Sequence, residues 1–311
     1  MAEEGAVWQL SGRGAGRSYA DVLLRYSVAL LGPGDAGPWS PDRDDEEFEG
    51  GFVRRFAAEL QSSGACRISA VGLVASGYSY LDVFDDVVGL DLQHARRVRC
   101  CELPTDYDFG QPVFGPTPTR FSRVQCAEVR DYVWRFLNSP PTYWQEAPLP
   151  ALPAEEPAME DIPSHLQDCI AAAADLYPLF RDSERFGPSP SEDEIVGHLV
   201  LPFLRSLGWL PERIGVKWRY IDVALFASLP RSPETCFFVI EAKRLGAGVE
   251  SALDQAKGYV HSLGEARDIV VTDGVRYRLY AAQNEYAPIA YANLVRLKRS
   301  AVELFNRLAR P

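Results

Sequence analysis

The sequence predicts an α+β protein with two domains, a small β-barrel followed by an α/β domain. Strand-like stretches separated by glycine-rich turns occupy the first 138 residues, a pattern typical of small barrels. Residues 139–163 contain seven prolines, which favours an extended linker without helix or sheet. From residue 164 onward, helical stretches alternate with short apolar runs that indicate buried strands. A chain of 311 residues is long enough for two domains of ordinary size.

The first domain is predicted to contain strands at residues 7–9, 28–31 and 67–75. The glycine-rich stretch GRGAGRS at 12–18 superficially resembles a phosphate-binding loop. It lacks the lysine of that motif, and no long apolar strand precedes it, so a P-loop is rejected.

The second domain is predicted to begin with a helix at about 165–181, followed by another that starts after Ser191. Apolar strands then precede Asp222 and Glu241, and a helix follows the second of them. Residues 268–280 predict two strands joined by a turn at Asp273 and Gly274, because Asp-Gly between apolar stretches is a strong hairpin signal.

The composition narrows the class of protein. Hydrophobic residues make up 47% and charged residues 24%, as in globular proteins. No apolar run approaches the length of a membrane span, and the start MAEEGAVWQL is acidic, unlike a basic leader. The six cysteines form no C-x-x-C pair and have no histidines at zinc spacing. We therefore expect a cytoplasmic protein with reduced thiols, no membrane partner and no zinc site.

The net charge of −11 divides unevenly along the chain. Residues 164–311 carry 18 basic and 18 acidic side chains, so the second domain is neutral. Residues 1–163 carry 14 arginines against 25 acidic residues, in part within the acidic run at 42–49, which predicts a solvated loop. Strong non-specific binding to a polyanion is not expected from this charge.

Asp222, Glu241 and Lys243 stand at predicted strand positions where charge is costly. A carboxylate or amine there destabilises the fold unless it is paired or binds a metal. Side chains alternate along a strand, so Glu241 and Lys243 point to one side and Ala242 to the other. Carboxylates from two adjacent strands can hold Mg²⁺ or Mn²⁺. The chain has only 4 lysines against 28 arginines, so a lysine here indicates a role, because a guanidinium orients a water less well.

Glu192 and Glu194 compete for a place near this site. Ser191 and Glu194 have the S-x-x-E spacing of a capping box, which gives Glu194 a structural role and leaves Glu192 for metal or water. The alternative is that Glu192 only complements the positive end of the helix. Gln255 and Tyr259 lie four residues apart on one helix face, although Tyr259 could equally be a core aromatic with a solvated hydroxyl.

In order and spacing these residues resemble the PD-(D/E)XK nuclease superfamily. The similarity covers residues 189–284 and is greatest to the N-terminal nuclease domain of type I restriction R subunits. Relatives often carry Thr-Arg where this chain has Ile195 and Val196. The resemblance implies a central mixed sheet, metal ligation by Asp222, Glu241 and Glu192, and catalytic roles for Lys243 and Gln255. It also implies that Q-x-x-x-Y, ending at Tyr259, helps place the scissile strand.

The first domain resembles EVE and other PUA-like domains over residues 6–102. The resemblance rests on V-G-x-V at 71–74, Y-x-Y at 78–80 and H-x-R-x-V at 94–98, whereas residues 61–66 look shortened. It implies a PUA-like β-barrel that recognises a modified base flipped into an aromatic pocket. Candidate pocket residues are Trp39, Tyr78, Tyr80 and His94. Each could instead be core or rim packing of a barrel.

Together these interpretations predict a modification-dependent DNA endonuclease that serves in phage defence, similar to type IV restriction enzymes. No helicase motor is present, so cleavage should need metal but no ATP. Cutting both strands usually needs two active sites, so a homodimer or a transient dimer on DNA is expected. One alternative makes the first domain a sensor of a small signalling nucleotide or partner; another is an inactive nucleic-acid-binding protein. Candidates for backbone contact are Tyr259, Arg96, Arg97, Lys298 and Arg299.

Overall fold

The computed structural model describes residues 7–14, 17–32, 67–113, 121–138, 148–154, 159–245, 252–298 and 300–310. Within these ranges, helices accompany a six-stranded mixed sheet and a three-stranded antiparallel sheet, which confirms the α+β class. The chain divides into two compact units, Met1–Ala154 and Glu155–Pro311. None of the helices in the described ranges has the length and apolarity needed to cross a membrane.

The described part of the first unit is mostly β-structure. In chain order its elements are β1 (Trp8–Leu10), β2 (Arg13–Gly14), β3 (Arg17–Ser18), α1 (Ala20–Tyr26), β4 (Val28–Leu31), β5 (Arg67–Tyr80), β6 (His94–Asp108), β7 (Phe121–Arg123) and α2 (Ala127–Asn138). Strand β6 lies between β4 and β5, while β1–β7 and β2–β3 form separate antiparallel pairs. Strands are thus present where 28–31 and 67–75 predicted them, and the PUA-like barrel stays a prediction.

The core of the first unit forms beneath β4. Val28 and Leu30 alternate inward and pack against Phe84 and other apolar side chains. Residues 148–154, within the predicted linker, also lie on this unit. Leu152 packs on the same core, and the Pro150 carbonyl accepts a hydrogen bond from the Arg97 guanidinium.

The second unit contains six strands and five α-helices within the described ranges. They are α3 (Ser164–Arg181), α4 (Glu192–Ile195), α5 (Leu201–Ser206), β8 (Ile214–Trp218), β9 (Ile221–Phe226), β10 (Cys236–Ala242), α6 (Ala252–Leu263), β11 (Asp268–Thr272), β12 (Arg276–Ala281), β13 (Ala287–Asn293) and α7 (Ala301–Leu308). A π-helical turn, Val196–Val200, joins α4 to α5. The sheet order is β13-β12-β11-β10-β9-β8. Only β10 and β11 are parallel, and α6 supplies the crossover that a parallel pair needs.

Both faces of this mixed sheet are covered by helices. Strand β10 alternates between the faces: Val239 packs beneath α6 with Ala256, while Ile240 packs on the opposite face among α3, α5 and α7. Burial on both faces explains why β9 and β10 are continuous apolar runs, so that a charged side chain within them needs a partner.

The turn between β11 and β12 lies at Asp273 and Gly274, as the hairpin signal predicts. Gly274 adopts φ +88°, a left-handed conformation that favours glycine. A Cβ there would lie 2.7 Å from Leu199 Cδ1 and 2.8 Å from Ile195 Cγ2. The turn therefore packs directly against the helical segment that begins at Glu192, and this contact fixes that helix on the sheet.

Candidate active site

The candidate site lies where β9 and β10 run side by side. Their antiparallel register brings Asp222 beside Glu241. Ala242 is buried in the opposite core, while Lys243 returns to the side of Glu241, with its Nζ 2.6 Å from Glu241 Oε1. The arrangement of this triplet is the one that strand alternation predicts.

Glu241 is the most deeply buried acid of the site, with 1% of the residue exposed. Oε1 accepts the hydrogen bond from Lys243, whereas the buried Oε2 has no hydrogen-bond partner among the described residues. Burial raises the pKa of Glu241 to about 7; Lys243 opposes the shift, while the charges of Asp222 and Glu192 add to it. A buried polar oxygen without a partner needs an explanation, and a bound cation would provide one.

Asp222 is 6% exposed and uses both of its oxygens. Oδ2 accepts the backbone N–H of Ala242 at 2.9 Å, which ties the carboxylate to β10. Oδ1 accepts a hydrogen bond from Lys217 Nζ at 2.7 Å. Asp222 is therefore fixed by the sheet through one oxygen and paired with a side chain through the other.

A chain of hydrogen bonds leads from Glu241 to helix α6. Lys243 Nζ donates to Gln255 Oε1 at 2.9 Å, and Gln255 Nε2 donates to the Tyr259 hydroxyl at 2.9 Å. Because Tyr259 holds the amide nitrogen, the amide oxygen is left for the lysine. The i, i+4 pair of the Q-x-x-x-Y motif thus positions Lys243, and Tyr259 also packs at the edge of the core beneath α6.

Helix α4 starts with the predicted capping box. Glu194 N–H donates to Ser191 Oγ at 3.2 Å, and Glu194 Oε2 accepts from the Ser191 N–H at 2.8 Å. The hydrogen bonds that Oε2 accepts from the Ser191 N–H and the Ser191 hydroxyl lower the pKa of Glu194 and commit its side chain to the cap. Glu192, the first residue of α4, is half-buried and lies close enough to Glu241 to raise the pKa of that acid.

Lys217 and Asp193 belong to this cluster, although the sequence analysis did not single them out. Lys217 Nζ bridges Asp222 Oδ1 at 2.7 Å and Asp193 Oδ1 at 3.1 Å. The hydrogen bond to Asp222 is the main cause that raises the pKa of Lys217 above its ordinary value. Lys217 is one of only four lysines, and this rarity was the one available signal.

The residues present fit a magnesium ion held by two carboxylates. Among the described residues, no three His, Cys, Asp or Glu side chains form a ready-made metal cluster. Magnesium does not need three, since it keeps several waters and takes further ligands from substrate phosphates. Asp222 and Glu241 can therefore supply enough protein ligands for magnesium. Glu241 Oε2 is available for this role, because it is buried and has no hydrogen-bond partner among the described residues. Ligation by Glu192 stays a prediction.

In the first unit, three of the four predicted pocket residues lie together. Tyr78 and Tyr80 of β5 flank His94 of β6: the Tyr78 hydroxyl is 2.9 Å from His94 Nδ1, and the Tyr80 and His94 rings meet edge-on at 5.5 Å. Gln93, which the sequence analysis did not select, is also buried, and its Oε1 has no hydrogen-bond partner within the described ranges. Trp39 lies outside the described residues.

The predicted backbone-contact residues are spread over both units. Arg96 is exposed on β6, whereas Arg97 is half-buried and bonded to the Pro150 carbonyl. Lys298 is half-buried before α7, and Arg299 lies outside the described residues. Tyr259 is joined to the Asp222–Glu241 cluster by a chain of hydrogen bonds through Gln255 and Lys243.

The fold and this site define an α+β protein with two buried carboxylates on adjacent strands, each paired with a lysine. Neither a family model, nor a curated protein, nor a solved structure matches the chain.

Substitutions at the start of α4 should separate stability from activity. Ser191→Ala removes the cap and should cost about 1 kcal/mol of unfolding free energy, while leaving the nuclease activity that the sequence predicts nearly intact. Glu194→Ala should also lower the melting temperature more than the activity. Glu192→Ala should lower the activity more than the melting temperature, because the negative charge of Glu192 beside Glu241 would attract the same cation. Melting curves and cleavage rates of the three variants check this, and the reverse pattern would exchange the two glutamates.

Proposed function

We propose that the second unit is a metal-dependent nuclease of the PD-(D/E)XK type, cutting DNA without ATP. The observation that carries the proposal is the hydrogen-bonded series of Glu241, Lys243 and Gln255 next to Asp222, together with the buried, unpartnered oxygen of Glu241. Two adjacent carboxylates and a lysine are the groups that metal-assisted phosphodiester hydrolysis requires. A mixed sheet covered by helices on both faces supports the same assignment.

The protein's residues would share the work of hydrolysis. Asp222 and Glu241 would hold the divalent cation, which when bound polarises the phosphodiester. An ammonium group has three N–H donors, and Lys243 donates two of them to Glu241 and Gln255. The third would donate to the attacking water or to a phosphate oxygen. Gln255, held in turn by Tyr259, is a positioning residue that keeps the ammonium in place.

For the first unit we propose recognition of a modified base, which would make the protein a modification-dependent restriction endonuclease. Tyr78, Tyr80 and His94 provide aromatic surfaces, and Gln93 provides a buried amide oxygen without a described partner. Stacking and base-edge hydrogen bonds are the interactions that offset extrusion of a base. The acidic net charge of residues 1–163 argues for a pocket rather than a broad electrostatic surface.

The test is cleavage of phage DNA, with and without modified bases, by the full chain without ATP. We expect cleavage with Mg²⁺ or Mn²⁺, none after chelation with EDTA, and a preference for modified DNA. Asp222→Asn provides the inactive control against contaminating nucleases. Metal-independent cleavage, or equal cleavage by the control, would overturn the nuclease proposal. Failure to bind DNA, with a nucleotide retained after purification, would favour a first unit that senses a small signalling molecule.

The pH dependence of the cleavage rate is a second test of the nuclease proposal. Glu241 must be ionised to hold a cation, and its pKa in the metal-free protein is raised to about 7. At a subsaturating metal concentration, the rate should therefore fall as the pH is lowered through about 7, because the proton competes with the metal. More metal should restore the rate at pH 6. A loss that metal does not reverse would indicate another titrating group.

A further inference from the structure

Lys217 lies where a cation bound to Asp222 would lie. Its Nζ is 2.7 Å from Asp222 Oδ1 and 3.1 Å from Asp193 Oδ1. Asp222 Oδ2 is engaged by the Ala242 N–H, so Oδ1 is the oxygen that faces a ligand, and Lys217 already contacts it. The side chain of Lys217 is 49% exposed, compared with 8% for that of Asp222. The ammonium group therefore approaches the buried acid from the solvent side and could withdraw to it.

The backbone of the β8–β9 hairpin sets this position. The strands pair up to Trp218 opposite Ile221, leaving only Arg219 and Tyr220 in the turn. Both turn residues have positive φ, 51° and 71°, and so does Lys217, at 50°. Left-handed conformations are unfavourable for residues with side chains. Three left-handed residues therefore lie within positions 217–220, at the end of the strand beside Asp222. The hairpin adopts this backbone conformation although it is energetically unfavourable.

A divalent ion would balance the charges of the site when all of its acids are ionised. Asp193, Asp222, Glu192 and Glu241 would carry four negative charges when ionised, against the two ammonium groups of Lys217 and Lys243. Lys243 is held inside by Glu241 and Gln255, and its side chain is 16% exposed. Among the described residues, Lys217 pairs with the carboxylates of Asp193 and Asp222 and remains open to solvent. Of the two lysines, Lys217 is the one that a metal can displace.

We propose that Lys217 is a built-in competitor of the divalent metal, which occupies Asp222 in the metal-free protein and leaves it when the metal binds. The inference rests on the proposed function, since it concerns the same site. Competition from Lys217 makes the metal affinity weaker than the two carboxylates alone would give, because the metal must break the lysine–aspartate contact before it binds. The released ammonium, tethered at the mouth of the site, is then available to a phosphate group.

Lysine labelling of the wild-type protein tests the displacement directly. The chain has four lysines, so acetylation with an N-hydroxysuccinimide ester can be followed by peptide mass spectrometry. Without metal, Lys217 should react slowly because two carboxylates hold it, and Mg²⁺ should speed its labelling several-fold. Lys257, a half-buried lysine paired with Asp254 at 3.8 Å on α6, is the matched control and should not change. Unchanged labelling of Lys217 with Mg²⁺ bound overturns the inference.

Metal titration of variants, by calorimetry without DNA, provides the second measurement. Lys217→Met should bind Mg²⁺ or Mn²⁺ on the order of 10-fold more tightly than the wild type, the size expected from removing a competing charged hydrogen bond. Lys257→Met should bind as the wild type does. If Lys217→Met is no tighter, the inference is wrong while the nuclease proposal stands. If the wild type binds no more metal than Asp222→Asn, the metal site itself is wrong.

Discussion

Asp222→Asn and Glu241→Gln are each expected to lower the rate of DNA cleavage by several orders of magnitude, with the fold retained. Both replacements keep the side-chain volume and remove the negative charge that would hold the cation. In Asp222→Asn one amide oxygen can still accept the Ala242 N–H. In Glu241→Gln the amide oxygen can still accept from Lys243. The packing of β9 and β10 is therefore preserved, and the loss is confined to chemistry.

Lys243→Met belongs to the same prediction, because it removes the donor aimed at water or phosphate while keeping most of the length of the side chain. The matched control is Asp254→Asn, which removes a carboxylate from α6 whose only described ion pair is with Lys257. Single-turnover cleavage rates with saturating Mg²⁺, alongside melting temperatures, separate catalysis from folding. Cleavage by Asp222→Asn at the wild-type rate would show that the site is elsewhere.

Much of the second unit could be predicted from local signals. The Ser191 and Glu194 capping box is made by residues three apart, so the sequence contains all of it. The turn at Gly274 depends on a residue that tolerates positive φ. The contact of Lys243 with Glu241 follows from strand alternation. Each of these features depends on residues close together along the chain, so residue type and spacing were sufficient to predict it.

The position of Lys217 could not be predicted in this way. It depends on the β8–β9 hairpin, whose turn residues Arg219 and Tyr220 are not the glycine or asparagine that usually signal a tight turn. The residues before Asp222 were predicted to form an apolar strand, yet β9 begins only at Ile221, and Tyr220 at the tip of the hairpin is 85% exposed. The hairpin sets the register between β8 and β9, and this register brings Lys217 close to Asp222. Long-range packing here overrides the local preference of the residues.

The first unit was predicted less completely, for a related reason. Tyr78, Tyr80 and His94 come together because β5 pairs with β6 in a register that places Tyr80 opposite His94. The register between β5 and β6 shifts between Val74 and Tyr78, and no sequence pattern predicted this irregularity. The motif spacing therefore identified the three aromatic residues but not Gln93, which precedes His94 in the chain and is also buried.

Tyr80→Ala and His94→Ala in the full chain should abolish most of the preference for modified DNA while leaving the metal-dependent chemistry intact. The expected loss is about 1–3 kcal/mol of discrimination, or roughly 5- to 150-fold, the range of good base-edge contacts. Tyr78→Phe keeps the ring but removes the hydroxyl that meets His94 at 2.9 Å. It should lose less, because stacking remains.

The measurement is the ratio of cleavage rates on modified and plain duplexes of one sequence. Tyr107→Ala provides the control, since this half-exposed tyrosine of the same unit stacks on Tyr132, with ring centroids 4.1 Å apart, away from the His94 cluster. It should leave the ratio unchanged. If Tyr80→Ala and His94→Ala slow both duplexes equally, the cluster supports the fold of the unit rather than reading a base. If they change neither duplex, recognition lies in other residues and the pocket assignment is wrong.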